Sequence, residues 1–180
     1  MQTKNPLENL KSVDLSHLSK AEAKEFTLLL EELEKREKRE SSMASFYDFV
    51  KTIWPEFIAG AHHKKMAEAF DKIANGESKR LIINMPPRHT KSEFASYLFP
   101  AYLLGKRPKL KIIEATHTAD LAINFGRRVR DLIESDEYAE IFPSTQLKAD
   151  SRSAGKWTTS QGGEYYAAGI GGALSLIHIS

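Results

Sequence analysis

The chain has 180 residues, 41% of them hydrophobic and 28% charged, enough for one ordinary soluble, globular domain with a real core. Its net charge of +2 is too small to argue for nucleic acid by bulk attraction, so any such binding must rest on local basic patches. Zero cysteines exclude disulfides and thiolate metal sites and suit a reducing cytoplasm. No apolar run approaches the roughly 18 residues of a membrane span, and Met1-Gln2-Thr3-Lys4-Asn5-Pro6 lacks the apolar core of a secretion signal.

Residues 1–18 are polar and irregular and read as an arm. Ser19-Lys20-Ala21-Glu22 is a capping-box pattern that opens a helix with Phe26, Leu29, Leu30 and Leu33 on one stripe. Glu31–Lys35, Glu32–Arg36 and Glu34–Lys38 are (i, i+4) pairs in the favourable order, so the charge run 31–40 reads as a solvated face or as a partner-binding helix. Ser41-Ser42 is expected to break this helix. Phe46, Phe49, Val50, Ile53 and Trp54 then form a second amphipathic segment that Pro55 ends. Trp54 and Phe57 are candidates for stacking on a purine base; the alternative is a buried aromatic pair. A third helix starts at His62-His63-Lys64-Lys65, turns Met66, Phe70 and Ile73 inward, and stops at Asn75-Gly76. Adjacent histidines point to different sides of a helix, which makes a poor metal pair.

Leu81-Ile82-Ile83 is a short apolar run of the kind that forms a buried strand. Met85-Pro86-Pro87-Arg88-His89 must turn the chain, and Thr90-Lys91-Ser92 leads into a helical pattern from Glu93 to about Leu104, with Phe94, Leu98 and Leu104 buried and Gly105 at its C-terminal stop. Strand, tight loop, Lys-Ser, helix is the layout of a phosphate-binding P-loop. In that layout loop amides hold phosphate oxygens, the lysine reaches the β and γ phosphates, and the serine hydroxyl binds magnesium. The strict spacing G-x-x-x-x-G-K-[ST] would put glycines where Met85 and Thr90 stand. A β-branched Thr90 resists positive φ, so such a loop is expected to use angles that a non-glycine residue accepts. The other reading is an ordinary strand-to-helix turn with a surface Lys-Ser.

Leu110 to Thr116 reads as a strand. Thr116 or Thr118 then caps a helix whose apolar stripe is Leu121, Phe125, Val129, Leu132 and Ile133. Strand, helix, strand, helix in this spacing predicts a parallel sheet with right-handed crossovers. Arg127, Arg128 and Arg130 lie on the flank and outer side of that helix. They can contact DNA phosphates, insert into a neighbouring subunit's nucleotide site, or simply be solvated, with Arg130 paired to Glu134. Residues 135–155 read as loop apart from Ile141-Phe142. Lys156–Thr159 and Glu164–Ala168 then form a hairpin around Gln161-Gly162-Gly163, followed by the glycine-rich turn 169–173.

Taken together, several stretches resemble the ATPase domain of the large terminase subunit of tailed bacteriophages and prophages. They are Lys79–Ser92 with its Pro-Pro-Arg-His-Thr-Lys-Ser, Glu114–Ala122, Phe125-Gly126-Arg127-Arg128-Val129-Arg130, and Trp157 through Gly162-Gly163 to Leu174. The resemblance covers about residues 45–174. It implies an α/β fold with a P-loop NTPase-like parallel sheet flanked by helices, incomplete here, and residues 1–44 as a helical N-terminal extension. The activity it implies is that of an ATP-driven motor packaging double-stranded DNA into a capsid shell. The implied partners are ATP, magnesium, the portal protein, the terminase small subunit and further copies in a ring; the implied setting is the bacterial cytoplasm, at the procapsid portal. By position, Pro87, Arg88, His89, Thr90, Lys91 and Ser92 would form the nucleotide-binding loop. Lys91 would meet the β and γ phosphates, Ser92 would hold magnesium, and Arg88 is similar to the basic residue that such loops place near the γ phosphate. Arg127, Arg128, Arg130 and Arg152 would be the candidates for an arginine finger or a DNA contact.

The pattern also departs from that family. An ATPase of this class needs an apolar strand ending in an aspartate and then a glutamate, placed in the family soon after the Gly-Gly-Ala-Leu turn. Here Ser175-Leu176-Ile177-His178-Ile179-Ser180 follows instead, without acids, and reads as a tail foreign to the pattern; no nuclease carboxylates appear either. The expectation is a terminase fragment that binds nucleotide weakly and hydrolyses it poorly. Two other readings stand beside it: a helicase-like or other P-loop ATPase, and a nucleic-acid- or protein-binding module without nucleotide chemistry.

Overall fold

The structure is a computed structural model that describes residue 10 and residues 17–170, with the side chains at 151 and 152 left aside. The glycine-rich stretch 171–174 and the tail 175–180 therefore lie outside the described residues. The chain divides into two compact units, residues 1–41 and 42–180. In the first, Ser19 and Glu22 form the expected reciprocal cap: the Ser19 amide donates to Glu22 (2.8 Å) and the Glu22 amide to Ser19 Oγ (3.3 Å). Helix α1 runs Lys20–Ala44. It does not break at Ser41-Ser42. Ser42 is fully buried and its hydroxyl bonds Thr52 Oγ1 at 2.8 Å, which satisfies the group that would otherwise favour a non-helical turn. On α1 Arg36 and Glu40 form an ion pair at 3.0 Å, while Leu29 and Leu33 of the apolar stripe are exposed.

The second unit is α/β: after the end of α1, its described residues form five α-helices and a four-stranded mixed sheet. Helix α2 (Phe46–Ile53) ends before Pro55 as expected, and its N-terminus is capped by Ser45. Helix α3 (Ala61–Ala74) is closed by Gly76 in the left-handed region (φ 79). Phe46, Phe49, Phe70, Phe94, Phe99 and Tyr102 form one aromatic core across these helices and the next, with ring pairs such as Phe46–Phe94 at 5.5 Å edge-to-face. One half-buried carboxylate stitches it: Asp71 Oδ1 accepts from the Phe46 amide (2.9 Å) and the Tyr102 hydroxyl (3.3 Å).

Two expectations around residues 80–105 are corrected. Leu81-Ile82-Ile83 is not a strand; Leu81 and Ile82 are exposed, Ile82 by 93%. No described strand lies beside it, and an unpaired strand leaves its backbone groups to water. The expected helix from Glu93 is not one regular helix either. A π-helical segment covers Glu93–Leu98, with the Phe99 amide reaching Phe94 O, before α4 continues as Phe99–Lys106. Pro100 contributes by lacking the N–H that would close the α-type ladder onto Ser96. Gly105 therefore sits inside α4 rather than beyond it.

Strand β1 (Lys111–Thr116) and the Thr118-capped helix α5 (Ala119–Ile133) follow as expected, although the buried face of α5 is Ala122, Gly126, Val129, Leu132 and Ile133, with Leu121 exposed. The region read as loop contains helix α6 (Asp136–Ile141) and strand β2 (Leu147–Arg152). Strands β3 (Lys156–Thr159) and β4 (Glu164–Gly169) form the expected hairpin. The sheet order is β1-β4-β3-β2: β1 and β4 are parallel in the register Lys111↔Glu164 to Thr116↔Gly169, and the other two pairings are antiparallel. A sheet built only of parallel strands is thus not what the described residues form. Trp157 and Tyr165 stack at 4.8 Å under α5, and the indole N–H donates to Gly126 O at 3.1 Å. Among the described residues no helix is long and apolar enough to cross a membrane.

Candidate phosphate-binding loop

The loop between Met85 and Ser92 is built from strained backbone. Among the described residues, Arg88 (φ 63) and Thr90 (φ 57) are the non-glycine residues in the left-handed region. Thr90 does what its side chain resists. The expectation that a loop here would keep to angles natural for a β-branched residue is therefore corrected: the second glycine position of the strict pattern has its usual conformation with threonine in it. At the first, Met85 needs no such angle, and it packs partly against the core.

What holds Thr90 is a side chain from another helix. The Gly60 amide donates to His63 Nδ1 at 2.9 Å, which leaves the neutral ring's proton on Nε2. Nε2 then donates to Thr90 Oγ1 at 2.7 Å, and that hydroxyl donates to His89 O at 2.7 Å. This relay of hydrogen bonds, each polarising the next, ties the start of α3 to the loop. His63 is buried, 7% exposed, between the rings of Phe57 (4.7 Å) and Phe94 (5.5 Å). Burial first, then the nearby His62 and His89, holds its imidazole below the ordinary histidine range and hence neutral.

Around this support the other loop residues converge. Pro87, Arg88, His89, Thr90, Lys91 and Ser92, with Glu93, line an open cavity of about 450 Å³. Lys91 Nζ donates to Met85 O at 2.9 Å, curling across the loop. The His89 ring donates from Nδ1 to Pro87 O at 2.9 Å. Arg88 is exposed, and Ser92 is exposed with its hydroxyl unbonded among the described residues. Lys91 and Ser92 are already helical, so the first amides of that helix have no intrahelical carbonyl to bond.

Trp54 and Phe57 stand next to this loop, as a partly buried pair with ring centroids 5.3 Å apart. Phe57 is one ring removed from Thr90, through His63. Trp54 lines a second cavity of about 260 Å³ with Tyr97, Arg128 and Glu93, and Glu93 also belongs to the loop's cavity.

The arginines fall apart into different roles. Arg128 makes a two-pronged pair with Glu93, Nη1 to Oε1 at 3.0 Å and Nη2 to Oε2, with its guanidinium 4.1 Å above the Tyr97 ring. Arg130 pairs with Asp131 (Nη2 to Oδ1, 2.7 Å). Arg127 is exposed with no partner among the described residues. Arg152 ends β2, paired in register with Trp157. On β1, burial raises the Glu114 carboxyl above the usual carboxylate range, with the Ser96 hydroxyl opposing. The Tyr165 hydroxyl, buried and unbonded among the described residues, is pushed up by burial and by Glu114. Asp136-Glu137 lies in the first turn of α6, not at a strand end. Among the described residues no group of three acidic or histidine side chains is arranged for a metal ion.

His63 and Glu93 are the residues that reading the sequence missed. A polar side chain three positions into a helix that opens with glycine is a capping signal, and it pointed to His63. Nothing local pointed to Glu93, whose partner is 35 residues away. Comparison with models of known protein families, with characterised proteins and with solved structures returned no match to this chain.

Proposed function

We propose that residues 85–92 bind the phosphates of a nucleoside triphosphate, and that the chain is part of a DNA-packaging ATPase of the phage terminase large-subunit type. The observation that carries this reading is Thr90, a β-branched residue held at φ 57 directly before Lys91-Ser92. A left-handed backbone costs such a residue on the order of 1–2 kcal/mol, and strain of that kind clusters where a loop must meet a ligand.

The donor set suits a triphosphate with magnesium. Lys91 is the residue that would hold β and γ phosphate oxygens; its ammonium already spends a hydrogen bond on Met85 O, and exchanging one acceptor for another loses little. Ser92, exposed and unbonded among the described residues, is the hydroxyl that would ligate magnesium, which when bound supplies charge neutralisation at the phosphates. Arg88 adds an exposed positive charge at the rim, and Trp54 with Phe57 offers an apolar wall for the base. Of the three arginines on α5, Arg127 is the best candidate for a DNA phosphate or a neighbouring subunit's nucleotide, because Arg128 and Arg130 each have a carboxylate partner. In this reading double-stranded DNA, the portal protein, the terminase small subunit and further copies in a ring are the partners, in the bacterial cytoplasm at the procapsid. The resemblance quoted from the sequence is the ground for that wider setting.

Thermal unfolding with and without Mg-ATP, beside Lys91→Ala, tests the reading. A ligand that binds only the native state stabilises it by about 2.7 kcal/mol at a hundredfold excess over Kd. The expected result is an upward shift in the parent that the variant loses. No shift in a well-folded parent sinks the nucleotide assignment and leaves a binding module centred on Arg127 as the better account.

A further inference from the structure

We propose that His63 is the positioning residue of this loop: through Nε2 it holds the Thr90 hydroxyl, and so keeps the backbone at residue 90 left-handed. The idea rests on the nucleotide reading for its functional consequence, but the geometry stands by itself.

The argument starts from the conformation. In the strict motif a glycine at this position takes positive φ without steric cost. Threonine does not, and its Cβ meets the following carbonyl. Something must therefore offset the strain, and the groups in reach are few. Within the loop, Thr90 Oγ1 bonds only its immediate neighbour, His89 O. From outside the loop it is the His63 ring that touches the hydroxyl, at 2.7 Å. That ring has little freedom of its own: Nδ1 is engaged by the Gly60 amide, and the rings of His62, Phe57 and Phe94 pack against it. The donor is thus preorganised before the loop folds onto it, which lowers the entropic cost of the contact.

The direction of the Thr90 peptide sets where the amides of Lys91 and Ser92 point, and these are the donors available to an anion at the start of the helix. His63 would act on ligand affinity through Thr90 without touching the ligand. In this chain a hydrogen bond from α3 does the work that a glycine does in the strict motif.

This predicts a coupling that a merely structural histidine would not show. The full chain is compared with His63→Phe, His63→Gln, Thr90→Gly and the double variant His63→Phe/Thr90→Gly, titrated with Mg-ATP. His63→Phe should weaken binding about tenfold, the size expected for one buried hydrogen bond. His63→Gln, which keeps a donor near the Nε2 position, should recover part of it. Thr90→Gly, whose backbone needs no support, sets its own baseline, and against that baseline His63→Phe should cost nothing further. Equal losses in both backgrounds, or no loss in the parent, overturn the proposal.

A second readout is independent of nucleotide: the Cα and Cβ chemical shifts of residue 90, which report its backbone region. They should leave the left-handed range in His63→Phe and stay within it in His63→Gln. Left-handed shifts retained in a folded His63→Phe reject the positioning role even if nucleotide binds nowhere on the chain. Absence of Mg-ATP binding in the parent counts against the functional reading alone.

Discussion

Thr90 and His63 show how one residue's conformational debt is met by another far along the chain. His63 also brings a pH dependence. In the unfolded chain an imidazole takes its proton at about pH 6.5. In the folded protein burial, His62 and His89 lower that value. Between the two values the unfolded state holds more protons, so stability rises with pH. The stabilisation is complete above about pH 6.5 and is lost as pH falls through the folded value. The titratable groups against this ring are His62 and His89; its other neighbours are the Phe57 and Phe94 rings, the Gly60 amide and the Thr90 hydroxyl. Thermal denaturation at pH 7.5 and 5.5 should show a smaller drop for His63→Gln than for the parent. An identical drop would mean that other groups account for the acid sensitivity.

Among the elements, α4 contains the clearest conflict between propensity and packing. Gly105 lies within a helix, where alanine is favoured by about 1 kcal/mol. A Cβ there, however, would overlap the ring of Phe142, which is 2% exposed and fixed in the aromatic core. The overlap reaches the ring's Cγ, the atom with least room to move. Overpacking of this kind costs about 1–3 kcal/mol, and the limited room puts it toward the upper end, so it outweighs the propensity gain. Gly105→Ala should lower the urea midpoint; a rise would show that Phe142 can move aside cheaply. The reading of Gly105 as a helix stop used the commonest local role of glycine. Its actual role depends on a residue 37 positions on, and that is why it was illegible. The caps were legible for the opposite reason. Ser19 and Thr118 each bond an amide three residues away, so their signal is contained in the sequence around them.

For the second unit as a whole, the sheet edges matter most. β1 is a terminal strand of the four-stranded order, and Ile113 on it is 45% exposed. A terminal strand with exposed apolar residues is a template for pairing between copies. Ile113→Lys should leave the melting temperature nearly unchanged while slowing the growth of light scattering at high protein concentration. Unaltered scattering would shift attention to the other apolar exposures, Ile82 and Ile58.

From the residues in order, helices α2, α3 and α5, strand β1 and the β3–β4 hairpin could be drawn, together with the loop that carries Lys91-Ser92. Each has a periodicity, a cap or a turn whose cause is local. The strand at 81–83 could not be judged that way, because a strand exists only through its neighbours. Nor could α6 and β2, whose short segments carry weak periodicity, or the π turn, where Pro100 disturbs an otherwise helical pattern. The candidate site divides in the same manner. Its lysine and serine are visible as letters, whereas Thr90's left-handed backbone, its support by His63 and the Arg128–Glu93 pair arise only when helices distant in sequence are packed together. Local chemistry determines which groups a segment offers; packing decides which of them meet.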